Sequence, residues 1–253
     1  MRSLFVFVLL LTVIGSSGLW LTAETTQHPF SVKDLVTMDR ISGQTVSPDG
    51  KLIVFVLRKT DMEANRGRTD LWLVQTSGKG LKQLTTDKAS DYNPVWSKDG
   101  KSIFFLSSRS GSAQVWKIDV TGGKAVQVTD LPLNVGNLIL SPDGKKIAFS
   151  MDVFPKKGCY VDTKKRLEAE KKRKATGRIY DRLFIRHWDT WNDGRRSHVF
   201  VKDLASKKIV NVMKGLDADS PTKPFGGSEE MTFTPDSMGI IFVASNSDLD
   251  EPW

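Results

Sequence analysis

One five-residue pattern recurs along this 253-residue chain and fixes what it can fold into. It reads Ser47-Pro48-Asp49-Gly50-Lys51, then Ser97-Lys98-Asp99-Gly100-Lys101, then Ser141-Pro142-Asp143-Gly144-Lys145. A decayed copy stands at Thr234-Pro235-Asp236-Ser237-Met238. Each copy is followed by an apolar, β-rich run: 52–57, 103–106, 147–151 and 240–244. A Pro-Asp-Gly turn between two such runs predicts a β-hairpin. Pro presets φ, Asp bonds back to the backbone and Gly takes the positive-φ position.

The residues around the turns repeat as well. Asp70-Leu-Trp72-Leu-Val-Gln75 alternates as a strand and is answered by Gln114-Val-Trp116-Lys-Ile-Asp-Val120. Leu84-Thr85 is answered by Val128-Thr129. The segment 61–69 is polar, carries Asn65-Arg66-Gly67 and is expected to be a loop. Asp49 and Asp99 are 50 residues apart, and Asp99 and Asp143 are 44 apart. Four strands at that period fit a β-propeller blade. The expectation is an all-β fold: a partial β-propeller of three four-stranded blades plus the start of a fourth. The blades span about 44–86, 93–130, 137–214 and 229–253. Trp72, Trp96 and Trp116 are read as core residues. A few blades cannot close a ring, so the chain reads as the front of a longer protein.

The third blade is interrupted. Asp143 and Asp236 are 93 residues apart, yet only one further strand pair, 198–204 with 208–213, lies between them. An insert at about 155–190 accounts for the excess. Within it, 163–176 has helix-forming composition, with Asp162 or Thr163 as N-cap and Gly177 past the end. Charge lies almost all round that helix, as expected of a solvated surface element. The segment 31–36 is expected to make one helical turn ahead of the first blade.

Residues 1–23 read as a secretory signal peptide: Arg2, an apolar run over 4–14, then Gly15-Ser-Ser-Gly18, with cleavage after Gly18 or Ala23. The other reading of that run is an uncleaved anchor, the only form in which the chain would meet a membrane. Both put residues 24–253 outside the cytosol, secreted or periplasmic. The formal charge of +8 is local, because the stretch 156–186 holds twelve Lys and Arg against four acids. The run Lys171-Lys172-Arg173-Lys174 lacks interleaved aromatics and is read as solvated surface, not a nucleic-acid site. Cys159 is the only cysteine and is read as a free thiol, and no Asn-x-Ser/Thr sequon occurs.

The densest polar-aromatic stretch runs from Tyr180 to Val201 and contains His187-Trp188-Asp189-Thr-Trp191-Asn-Asp193-Gly-Arg195-Arg-Ser-His198. Together with the Pro-Asp-Gly blades and the leader, it resembles the third-blade region of secreted prolyl oligopeptidase-family serine peptidases, of the dipeptidyl-peptidase and acylaminoacyl-peptidase type. The resemblance covers about 29–253. It implies that the propeller limits access of short peptides to an α/β-hydrolase domain carrying a Ser-Asp-His triad, with the Ser in a Gly-x-Ser-x-Gly elbow. No Gly-x-Ser-x-Gly occurs in this chain, so no catalytic residue is assigned to it. The implied partner is an oligopeptide substrate, met through that hydrolase domain, and no cofactor is implied. The blade repeat alone also resembles TolB-like propellers, so a non-enzymatic protein-binding module is the alternative.

His187, Trp188, Asp189, Trp191, Asp193, Arg195 and His198 are the candidates for the substrate cavity or the domain interface. The competing reading is a structural corner, with Trp188 and Trp191 packed and Asp189 or Asp193 bonding a turn. His187 with His198 fits no short metal-ligand motif, and no metal is assigned. The resemblance also implies acids that hold the substrate amine. Glu168 and Glu170 are two apart on a helix, face different ways and are read as solvated.

Overall fold

The computed structural model describes residues 28–155, 160–180 and 185–244. Residues 1–27, on which the signal-peptide reading falls, lie outside these residues, as do Cys159, parts of the insert and residues 245–253. The described chain forms three four-stranded antiparallel sheets and two two-stranded ones. The first blade is β1 (Arg40–Val46), β2 (Leu52–Asp61), β3 (Arg66–Gln75) and β4 (Lys82–Gln83). The second is β5 (Asp91–Trp96), β6 (Ser102–Ser107), β7 (Gln114–Asp119) and β8 (Val126–Gln127). The third uses β9 (Gly136–Leu140) and β10 (Lys146–Val153). After the insert, with its helix α2 (Tyr160–Lys171) and hairpin β11 (Arg186–His187) and β12 (Thr190–Trp191), come β13 (Arg196–Asp203) and β14 (Ile209–Asn211). The fourth begins with β15 (Met231–Phe233) and β16 (Ile240–Phe242). The inner strands β1, β5 and β9 neighbour one another, as in a propeller, and the ring is not closed among the described residues.

The recurring turns adopt one geometry. In each, the Ser hydroxyl donates to the Asp carboxylate, at 2.7 Å for Ser47–Asp49 and 2.6 Å for Ser97–Asp99 and Ser141–Asp143. The same hydroxyl oxygen accepts the N–H of the residue five later, at 2.9 Å in all three. Asp accepts the Lys N–H two residues on, and Gly50, Gly100 and Gly144 sit at φ 74°, 66° and 75°. The carbonyls of Lys51, Lys101 and Lys145 then accept N–H groups of Thr76, Val120 and Leu204, closing the same end of each blade. The decayed copy joins the set. Ser237 takes the glycine position at φ 61°. Its hydroxyl accepts the N–H of Asp143 at 3.0 Å, and its carbonyl accepts Lys146 Nζ at 2.8 Å. The third and fourth turns are thereby clamped together.

A second device recurs four residues before each Ser. The inner strands bulge at Gly43, Asn93 and Asn137, with φ 57°, 52° and 53°. Asn93 exchanges two bonds with the backbone of Leu138, at 3.1 and 3.2 Å, tying the second blade to the third. Trp96 Nε1 donates to Thr45 O at 3.0 Å, tying the second to the first.

The core lies between blades, because successive strand residues point to opposite faces. Strand β6 is buried on both faces: Ile103 and Phe105 pack against Val54, Leu71 and Leu73 of the first blade. Phe104 and Leu106 join Ile147, Phe149 and Met151 of the third. Ala148 and Val199 meet Met231 and Phe233 of the fourth.

Several expectations need correcting. Residues 61–69 are not a loop: β2 and β3 run on to Asp61 and from Arg66, so the turn shrinks to 62–65. The first blade starts at Arg40. Trp96 is core, but Trp72 and Trp116 are half-buried, lying beneath Lys59 and Arg109. The helix begins at Tyr160 and ends at Lys171, so Asp162 and Thr163 are inside it and Gly177 does not cap it. It is not solvated all round. Tyr160 meets the Phe200 ring edge-on at 6.1 Å, Leu167 packs on the core, and buried Thr163 accepts the Phe154 N–H at 3.1 Å. That i, i+3, i+7 face docks the helix. The insert departs at 154 and returns at 195, and it carries the β11–β12 hairpin as well. The lead-in turn forms as α1 (Val32–Thr37), with a Ser31–Asp34 capping box.

The turns make a testable statement. Ser141→Ala removes a donor and an acceptor at a buried site, with an expected loss of about 1–2 kcal/mol. The melting point should fall by about 2–8 °C, while exposed Ser77→Ala stays within about 0.5 kcal/mol. The Ser or Thr hydroxyl, then the backbone N–H, holds Asp49, Asp99, Asp143 and Asp236 below the ordinary carboxylate value. A carboxyl depressed on folding stabilises above its unfolded pKa and ceases to as pH falls through its folded one. The Ser141→Ala deficit should therefore shrink as unfolding is repeated at decreasing pH. A deficit independent of pH would contradict the clamp.

Candidate functional site

The turns occupy one end of the blades, and the insert occupies the other. It leaves β10 at Val153 and re-enters β13 at Arg196, which are register partners. That junction is braced by charge. Arg196 donates to Asp217 at 2.9 Å and to Asp219 at 3.0 Å. Buried Asp219 also accepts the Ser197 N–H at 2.6 Å, and Lys223 bridges Asp219 and Asp152 at 3.3 and 3.1 Å. The insert's last turn is closed by Asp193, which accepts the Arg195 N–H at 3.1 Å and its Nε at 2.8 Å. Burial alone would raise the Asp193 pKa, but Arg195 outweighs it and the carboxyl is held low. Asp193 is a fixed anion, not a base in waiting.

The β11–β12 hairpin presents aromatic rings outward. His187 lies 5.0 Å from the Trp188 ring and 5.9 Å from Phe225, and Trp188 and Phe225 are 6.0 Å apart. Trp191 stacks on Tyr180 at 5.9 Å, with the Arg186 guanidinium 5.3 Å from its ring. Trp188 is 74% exposed, Trp191 50% and Phe225 75%, so the packed-corner reading of the two tryptophans is wrong. Among the described residues Asp189 accepts only the neighbouring Thr190 hydroxyl, at 3.4 Å. Beside the hairpin lies a cleft of about 880 Å³ between the end of α2, residues 175–180 and residues 192–196.

Six of the seven candidates, 187 to 195, therefore share the insert end. His198 does not belong with them. It is buried in β13 and precedes Val199 as Asp70 precedes Leu71 and Gln114 precedes Val115. The three hold equivalent places in their blades, each paired across the hairpin with the second strand. Thr85 and Thr129 bond to the N–H of Leu71 and Val115, and Met213 Sδ takes the N–H of Val199 at 3.3 Å. Gln114 ties down the exit loop through Leu131 and Leu133, and His198 Nε2 does so by donating to Leu216 O at 3.1 Å. A carbonyl only accepts, so His198 Nδ1 is free of its proton and accepts the Asn211 amide at 3.0 Å. Burial pushes the His198 pKa down and keeps this neutral form. Among the described residues no group of three His, Cys, Asp or Glu is placed to hold a metal ion. Glu168 and Glu170 are paired along the helix with Lys164 at 3.4 Å and Arg166 at 3.0 Å.

Sequence reading missed Phe225, Asp217 and Asp219, which reach the site from beyond β14 and carried no motif. It also missed the cleft, which exists only because the helix docks.

Bladed sheets with stacked Ser-x-Asp-Gly turns define a TolB-type propeller. Residues 30–173 match the family described as the TolB β-propeller domain, and the chain belongs to it. It is homologous to dipeptidyl-peptidase 5. It is 30% identical over 240 residues to that protein of Porphyromonas gingivalis, covering 92% of this chain and 34% of the relative. It is 24% identical over 254 residues to that of Aspergillus fumigatus, covering 91% and 34%. The chain thus spans about a third of the length of these relatives. Pyrococcus horikoshii acylaminoacyl peptidase shares the fold, with a TM-score of 0.52 at 18% identity over 71% of this chain and 25% of that one.

Two substitutions separate structure from surface at this end. His198→Ala should cost about 2–4 kcal/mol by opening a buried site and removing the bonds His198 makes to the Asn211 amide and the Leu216 carbonyl. Trp188→Ala should change stability by less than about 0.5 kcal/mol. Urea unfolding of both variants checks this, and a reversed order would contradict the placement.

Proposed function

We propose that this propeller is the substrate-gating part of a secreted serine exopeptidase, and that its insert end forms the wall of the cavity through which short peptides reach the catalytic serine. The observation that carries the reading is the identity with dipeptidyl-peptidase 5, because it runs through the insert as well as the blades. The exposed rings of Trp188, Trp191 and Phe225 support it, since solvent-facing aromatics grouped on one surface mark a recognition face. They offer apolar contact to peptide side chains or to a facing domain. The nucleophile is not in this chain. In the whole protein a serine would attack the peptide carbonyl, release the amine-side product and pass the acyl group to water. The leader at 1–23 directs the protein out of the cytosol.

Fluorophosphonate labelling of the native secreted protein, captured with an antibody against residues 28–244, tests this. The expected result is a labelled band well above the size of this 253-residue chain. An unlabelled band would overturn the peptidase reading and leave a propeller that works by binding a protein partner.

A further inference from the structure

We infer that the cleft between α2 and residues 192–196 is a carboxylate-binding site that takes the carboxylate end of a short peptide; the inference rests on the peptidase reading above. Its charges make the case. Three acids line it, Glu170, Asp193 and Asp217, and each is already matched. Glu170 holds Arg166 at 3.0 Å, Asp193 holds Arg195 at 2.7 Å and Asp217 holds Arg196 at 2.9 Å. Among the described residues two charges are left over, and both are positive. Arg173 and Arg178 line the cleft, are exposed, and have no side-chain partner among the described residues. Among the described residues, an ammonium group entering here would meet two unmatched guanidiniums and no unmatched acid. A carboxylate would meet two planar forks suited to it.

The walls add two observations. The Tyr180 hydroxyl lies buried at the cleft wall with no hydrogen-bond partner among the described residues. A phenol donates as well as accepts, so a ligand oxygen within reach would satisfy it. Phe154, Pro155 and Ala175 supply apolar wall, and Phe154 is covered by the Arg166 guanidinium 3.7 Å from its ring. The site thus suits a group with an anionic tip and an apolar body. The C-terminal residue of a peptide has that form, and so does an acidic side chain. The basic run 171–174, read from composition as solvated surface, here acquires a direction through Arg173.

The test uses the full-length secreted protein and three versions of one short peptide. One has a free C-terminal carboxylate, one a C-terminal amide, and one an amide with Glu as the last residue. Equilibrium binding and kcat/KM are measured for each, in wild type and in the double variant Arg173→Ala/Arg178→Ala. Wild type should prefer the free-carboxylate peptide to the amide by roughly five- to tenfold, mainly in binding and KM. The preference should weaken with added salt and fall to near one in the double variant, whose melting point should match wild type. Recovery with the Glu peptide would show that a side-chain carboxylate also serves. A wild-type preference near one, or one that survives in the double variant, would overturn the site. If no peptide is cleaved but the binding preference is present and lost in the variant, the cleft stands and the peptidase reading falls.

Discussion

Everything in this fold hangs on one local arrangement: a serine hydroxyl that donates to an aspartate two residues on while accepting a backbone N–H five residues on. It needs no distant partner, so it forms from sequence alone and sets the register of each hairpin. Its geometry presents the Lys51, Lys101 and Lys145 carbonyls to the blade's next turn, so a local clamp becomes a four-stranded sheet. Because β6 and its neighbours alternate faces, each sheet then offers apolar residues to both sides. Blades can only satisfy those faces by standing next to one another, and the core between blades follows.

This arrangement divides the molecule. At the turn end, short tight loops are stacked in series and even the glycine-less fourth turn is drawn in through Ser237. Little there is free to change. At the other end, the hairpin between second and third strands shortens to a turn in the first blade and opens into some forty residues in the third. Its constraints are long-range: the Arg196 and Lys223 bridges to Asp217, Asp219 and Asp152, and the face of α2 that docks on Phe200. Such an end can carry a recognition surface without disturbing the blades.

The legibility of the sequence follows the same division. The blades were readable because their determinants are consecutive residues: Pro-Asp-Gly, alternation, and the paired Leu84-Thr85 and Val128-Thr129. The bulges at Gly43, Asn93 and Asn137 were equally local, but they emerge only when the repeats are laid on the Ser, since Gly and Asn share a tolerance for positive φ rather than a side chain. The extended β2–β3 hairpin defeated a composition argument, because polar residues beyond the core pair in register as well as apolar ones. The start of α2 was misplaced because Thr163 is not a cap but a buried partner of Phe154. His198 looked chemical by type, and only its equivalence to Gln114 shows it holding a loop. Trp188 and Trp191 looked like core by type, and their hairpin turns them outward. Phe225, nearly forty residues further on, could not have been joined to them without the fold.

The two ends of the blades have separate tasks. Hydrogen–deuterium exchange on the full-length native protein tests it most directly, with and without a peptidyl chloromethyl ketone bound. Exchange should slow over residues 186–196 and 222–228 and stay unchanged over the turns at 47–52, 97–102 and 141–146. Protection confined to the turns, or spread evenly over both ends, would contradict it.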